Sequence, residues 1–114
     1  MPRPSIVIGH SGLSSILHAP PLLIGDDWIK VPLHPTLHWS EIARIDMDPM
    51  RPIVLRLWTF TEGRPGGEVN SIPIRVGLRG YSPSPSEVRR VIEEQFNLWR
   101  SREETEILPR KDHG

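Results

Sequence analysis

Residues 84–100 read Ser84-Pro85-Ser86-Glu87-Val88-Arg89-Arg90-Val91-Ile92-Glu93-Glu94-Gln95-Phe96-Asn97-Leu98-Trp99-Arg100, and this stretch decides the fold. Ser84 can cap free backbone N–H groups, Pro85 fits the first helical position, and Glu87 can reach back to the cap. Such a start contributes about 1 kcal/mol. Val88, Val91, Ile92, Phe96 and Trp99 recur at steps of three or four and form one apolar stripe, while Arg89, Arg90, Glu93, Glu94, Asn97 and Arg100 take the other face. The Arg89/Glu93 and Arg90/Glu94 pairs, four apart, add only about 0.3–0.5 kcal/mol each. A helix with one oily side must lie on something apolar. Past Arg102 the polar run predicts fraying, with a tail over 105–114 after one domain over 1–104.

The chain before the helix is of another kind. Thirteen prolines in 114 residues, at 2, 4, 20, 21, 32, 35, 49, 52, 65, 73, 83, 85 and 109, leave no room for a helix of usual length between Pro2 and Pro52. Short strands joined by turns remain. Ser5 to Ile8 reads as a strand ended by Gly9-His10-Ser11-Gly12, Ser14 to Ala19 as a second, and Leu22-Leu23-Ile24-Gly25 as another. Asp26-Asp27 then turns the chain into Trp28 to Val31, closed by Pro32. From Leu37 to Met47, Ala43, Ile45 and Met47 alternate with Arg44 and Asp46, while Trp39 and Ile42 are out of step; a bulge or bend near Ser40-Glu41 reconciles the halves.

Arg51 to Thr61 is the longest predicted strand, with Ile53, Leu55 and Leu57 on one face and Val54, Trp58 and Phe60 on the other. Apolarity on both faces implies partial cover on both. Thr61 to Glu68, with three glycines and a proline, is a turn that makes a hairpin with the strand after it. In that return strand Ile72, Ile74, Val76 and Leu78 alternate with Pro73, Arg75, Gly77 and Arg79, one face inward and one in water. Pro73 points to a sheet edge or a non-bonding position. The fold class is therefore mainly β (α+β): a bent antiparallel barrel or sandwich of six or seven short strands capped by one C-terminal amphipathic helix.

The order of these parts resembles the pleckstrin-homology-like fold, a bent antiparallel barrel closed by a carboxyl-terminal helix. Leu37-His38-Trp39-Ser40-Glu41-Ile42-Ala43-Arg44-Ile45 looks like the W-x-x-I-x-x-I segment of its bacterial branch, and Ser5 to Ile8 with Gly12-Leu13 is similar to the opening strand and turn. The likeness spans about residues 5–100. Two departures limit what it implies. Phosphoinositide-binding members carry Lys and Arg in the first strand loop, where His10, Ser11 and Gly12 stand here, so lipid head-group binding is disfavoured. Many bacterial relatives also have membrane spans before the domain, and no apolar run here reaches the roughly 20 residues a span needs.

Composition narrows the function classes. Fourteen Lys+Arg balance fourteen Asp+Glu, giving no long-range field for nucleic acid. Lys30 and Lys111 are the only lysines, and with no cysteine, thiolate catalysis, disulfides and cysteine-ligated zinc are excluded. The first ten residues lack the apolar run of a signal peptide, so the expectation is a soluble cytoplasmic chain.

Candidate chemistry is sparse. Gly9-His10-Ser11-Gly12 lacks the spacing and following helix of a hydrolase elbow and reads as a turn. His34 and His38, with His10 and His18 elsewhere, invite a metal, but Pro35 blocks a helical grip, and four apart on a strand the rings would be about 13 Å apart. Asp26-Asp27 and Asp46-x-Asp48 could supply carboxylates but read as turns. Trp39, Trp58 and Trp99 fall on patterned apolar positions, whereas Trp28, beside Asp26-Asp27, is the tryptophan placed to anchor a partner. Arg51, Arg56, Arg75 and Arg79 could align as a basic stripe, the favoured alternative being a solvated face paired with Glu62 and Glu68.

The reading that follows is a non-enzymatic protein-interaction module binding another protein through Trp28, Arg56, Arg75 and Arg79, with no cofactor, metal, catalytic residue or nucleic-acid partner, and with oligomeric state open. One alternative is an immunity protein that neutralises a secreted toxin. Another is a small hydrolase or metal-dependent enzyme using His10 or His34/His38.

Overall fold

A computed structural model describes residues 4–9, 20–82 and 84–107. Among these residues seven strands and one long helix follow in order: β1 Ile6–Ile8, β2 Leu22–Ile24, β3 Trp28–Lys30, β4 Leu37–His38, a 3-10 turn Trp39–Glu41, β5 Ile42–Asp48, β6 Arg51–Thr59, β7 Ile74–Gly77 and α1 Pro85–Ile107. The strand expected over Ser14 to Ala19 lies outside the described residues, as do His10, Ser11, Gly12 and His18.

The strands form two antiparallel sheets, β1-β2-β3-β4 and β5-β6-β7. The first is a succession of short hairpins. Asp26-Asp27 is the two-residue loop between β2 and β3, closed where the Gly25 N–H donates to the Trp28 carbonyl at 2.8 Å. The bend expected near Ser40-Glu41 is the 3-10 turn, which carries the chain from one sheet to the other. Its ends are stitched to both: the Trp39 N–H donates to the Asp27 carbonyl and the Phe60 N–H to the Glu41 carbonyl, each at 2.9 Å. His38 caps this turn. Its Nδ1 accepts the Ser40 N–H at 3.1 Å, and Glu41 Oε2 accepts the His38 N–H at 2.8 Å, a reciprocal cap built on histidine rather than serine. At the other end the Ser82 N–H donates to the Gly9 carbonyl at 2.9 Å, tying the end of the second sheet to the first strand. Among the described residues the sheets meet at these seams without closing into a continuous barrel.

The core sits between the inner faces. Leu22, Ile24, Ile29 and Val31 from the first sheet, Leu55, Leu57 and Val76 from the second, and Trp39 at the corner are buried together with Val88, Ile92, Phe96 and Trp99 of α1. The helical stripe thus docks as its spacing requires, each large side chain contributing about 1.5–3 kcal/mol. Phe96 stacks obliquely on Trp39 with centroids 5.7 Å apart, and Trp99 meets the His38 ring edge-on at 5.9 Å. Arg102 fastens the far end, its guanidinium donating to the Asp26 carbonyl at 2.8 Å.

Three details depart from the sequence reading. The helix runs to Ile107, three residues into the stretch expected as tail. The cap is half of the expected box: the Glu87 N–H donates to Ser84 Oγ at 3.3 Å, but the Glu87 carboxylate accepts from Arg90 at 3.0 Å, a charge-assisted bond. The return strand, expected from Ile72, begins only at Ile74, and Ile72, expected inward, is 79% exposed. Phe60 pairs with Val69 and Leu57 with Ile74, so the return side carries two extra residues between these pairs. Pro73, which has no N–H to give a ladder, sits in that bulge at a non-bonding position, one of the two places its ring allowed, and among the described residues β7 is also an edge strand.

Candidate functional site

The inner face of the second sheet is consumed by the core, and its outer face is a network of ions and one indole. Strand alternation puts Arg44 and Asp46 of β5, Val54, Arg56 and Trp58 of β6, and Arg75 of β7 on this side. The register aligns Arg44 with Trp58, and Asp46 with Arg56, which in turn faces Arg75. Two guanidiniums directly opposite would repel, but each has a carboxylate at hand. Arg56 grips Asp46 through Nε–H to Oδ1 at 2.7 Å and Nη2–H to Oδ2 at 2.9 Å, a bidentate pair. Arg75 turns toward Asp48 at 3.8 Å.

Trp58 is the centre of this face. Its indole N–H donates to Asp46 Oδ1 at 3.0 Å, fixing the ring. The Arg44 guanidinium lies 4.5 Å from the ring centroid and that of Arg56 5.1 Å, both within cation–π range. The Arg56 side chain is 20% exposed, whereas Arg44 and Arg75 are 59% and 62% exposed. The hydrogen bond from Arg56, helped by that from Trp58 and by the charges of Arg56 and Arg44, holds the Asp46 carboxyl below the ordinary carboxylate range against the opposing effect of burial. Asp46 in turn raises Arg56. Asp46 is therefore a fixed anion that organises three cationic or aromatic groups, rather than a proton carrier near neutrality.

The structure brings together only some of the residues the sequence singled out. Arg56 and Arg75 are cross-strand neighbours. Arg79 follows β7 in an exposed turn and Arg51 is exposed at the start of β6, so the four arginines do not make one stripe. The pairing partners are Asp46 and Asp48 of β5, not Glu62 and Glu68; Glu62 binds Arg64 at 3.0 Å. Asp46 and Asp48, read as turn residues, lie in a strand, while Asp26-Asp27 does form a turn. Trp28 belongs to the other sheet and is half-buried against Gly25, where a Cβ would come within 2.1 Å of its indole nitrogen. That close approach explains a glycine at position 25. His38 is committed to capping, and His34 lies in the β3–β4 turn beside Arg75 and Tyr81, along a cleft of about 190 Å³. Among the described residues no three His, Asp or Glu side chains converge in a way that could hold a metal ion.

Of the network, Arg44 was missed as a site residue, Trp58 was placed with the patterned apolar positions, and Asp46 and Asp48 were offered as carboxylates but read as turn residues. The signal was present in the alternation of Arg44, Asp46 and Asp48 with Ile45 and Met47, but the partner strand and its register had to be known before the charges could be paired. Comparison of the chain with protein-family models, with curated proteins and with solved structures finds no match. No helix among the described residues is long and apolar enough to cross a membrane.

Proposed function

We propose that this protein is a non-enzymatic, cytoplasmic protein-interaction module of pleckstrin-homology-like fold, and that it meets its partner with the outer face of β5-β6-β7. Kinship with that fold is supported by the order of four antiparallel strands, three antiparallel strands and a terminal helix. The binding reading rests on one observation: Trp58 is pinned by Asp46 and flanked by Arg44 and Arg56 on a sheet face that no other element among the described residues covers. Tryptophan and arginine are the residue types that dominate binding energy at protein interfaces, and a ring already held by hydrogen bond and cations loses little freedom when a partner lands on it. Three arginines stand against two aspartates on this face, which favours an acidic partner surface.

The test is affinity capture from lysate of the source cells, followed by binding of the purified captured protein to variants. Trp58→Ala and Arg75→Glu should each weaken that binding by at least about tenfold, the mark of a hot spot. Trp28→Ala and Arg79→Ala should leave it within about twofold, as residues outside the contact do. Binding that survives both outer-face changes, or that is lost with Trp28→Ala while the fold persists, overturns the assignment.

A further inference from the structure

β5 is the edge of the second sheet, paired among the described residues only with β6. Which of its backbone groups are free follows from two hydrogen bonds. The Leu78 N–H donates to the Ile53 carbonyl, so Ile53, Leu55 and Leu57 direct their polar groups toward β7, and Val54, Arg56 and Trp58 direct theirs toward β5. Their partners Asp46 and Arg44 therefore bond inward. The Phe60 N–H to Glu41 carbonyl bond has the same phase across the bulge at Ala43. The N–H and C=O of Ile45, and next to them those of Met47, point out of the sheet. The helix does not seal this edge: Arg44 and Ile45 line an open cleft of about 260 Å³ against Glu93, Phe96, Asn97 and Arg100.

We infer that the occupant of this edge is a second copy of the chain, added antiparallel to β5 about a two-fold axis at Ile45, so that two three-stranded sheets become one of six strands. The argument is one of phase and charge. Within the regular stretch between the two register shifts of β5, a second copy can use the outward groups only in registers centred on Arg44, Ile45 or Asp46. Centring on Arg44 opposes two guanidiniums and centring on Asp46 opposes two carboxylates, both unfavourable. Centring on Ile45 sets each Arg44 opposite the other copy's Asp46, twice by symmetry, and pairs Ile45 with itself through two backbone hydrogen bonds. On the inner side it lays Ile45 against Ile45, covering a side chain that is now only half-buried. Charged residues on an edge ordinarily prevent pairing. Here one register satisfies them and its neighbours do not.

The contact is short, so the dimer is weak and concentration-dependent, with a dissociation constant on the order of 10⁻⁴ M. The test is amide hydrogen exchange on the full chain at about 50 μM and about 1 mM, with sedimentation equilibrium over the same range. The Arg44 and Asp46 amides, bonded to β6, should be protected at both concentrations. With that constant about two-fifths of the chain is paired at the lower concentration and about four-fifths at the higher, so the Ile45 amide should exchange about threefold more slowly when concentrated. Ile45→Pro removes that outward N–H without breaking a bond to β6, and Arg44→Glu places like charges opposite; both should be monomeric throughout, and Arg44→Glu leaves the β5 backbone intact should the proline disturb folding. A monomer at the higher concentration, a dimer that persists in Arg44→Glu, or Ile45 protection that appears only when a different protein is added would each overturn the proposal.

Discussion

The two faces of the second sheet are built from the same three strands and are held by opposite means. On the inner face Leu55, Leu57 and Val76 are buried beneath α1 and the first sheet, and their energy comes from removal of apolar area from water. On the outer face Arg44, Asp46, Arg56, Trp58 and Arg75 are organised by charge-assisted hydrogen bonds and ring contacts that stay partly wet. Stability therefore resides almost entirely on one side of a sheet a single side chain thick. The other side can change at little cost to the fold.

The largest expected effect falls on the inner side. Trp39 is completely buried at the corner joining the sheets, and Trp39→Ala should cost about 3–5 kcal/mol in denaturant unfolding. Trp39→Phe sharpens the point. The Trp39 indole nitrogen has no hydrogen-bond partner among the described residues, so the phenylalanine removes an unsatisfied donor along with some volume and should cost about 1 kcal/mol or less. A loss comparable to the alanine would mean that the indole N–H is satisfied in solution.

Gly25→Ala comes next, at about 1–3 kcal/mol, because the new methyl must push the Trp28 ring off the β2–β3 loop. A neutral result would show that Trp28 is free to move, as an exposed anchor would be.

On the outer side effects should be smaller and dependent on pH. Asp46→Asn keeps the shape but loses the charged half of the Arg56 pair, for a loss of about 1 kcal/mol near neutrality, discounted because the site is partly exposed. Because the native carboxyl titrates below its unfolded value of about 3.9, its contribution is complete above that value and disappears as pH falls through the lower native one. Wild type and Asp46→Asn should therefore converge in stability in acid, which denaturant midpoints at pH 7 and in strong acid will show. A gap that persists in acid would assign the effect to shape rather than charge. Smallest is Ser84→Ala, about 0.5–1 kcal/mol by thermal melting, for the single N–H that Ser84 caps.

How much of this was legible follows the same division. The helix could be read because a cap and a period of 3.6 are local, and every stripe residue from Val88 to Trp99 is buried or half-buried where its spacing put it. The inner strand faces could be read because Ile45 and Met47, or Leu55 and Leu57, repeat every second residue. The outer face could not. Arg56 is ten residues from Asp46 and Trp58 is twelve, and nothing in either strand alone says that the turn at Pro49-Met50 brings them into register. The surroundings of Trp28 were hidden for a similar reason: its neighbours in sequence are acidic, but in space its half-buried ring lies against Gly25. The bulge at Ser71–Pro73 was half visible, since Pro73 pointed to an edge or a non-bonding position but not to the two extra residues that expel Ile72.

The division between a sealed inner face and a wet outer one is tested most directly by denaturant unfolding of two alanine variants compared side by side. Trp99→Ala, which empties the place of a buried ring on the docked side of α1, should lose about 3 kcal/mol or more, whereas Trp58→Ala, half-buried on the ionic face, should lose about 1 kcal/mol. Equal losses, or the reverse order, would contradict it.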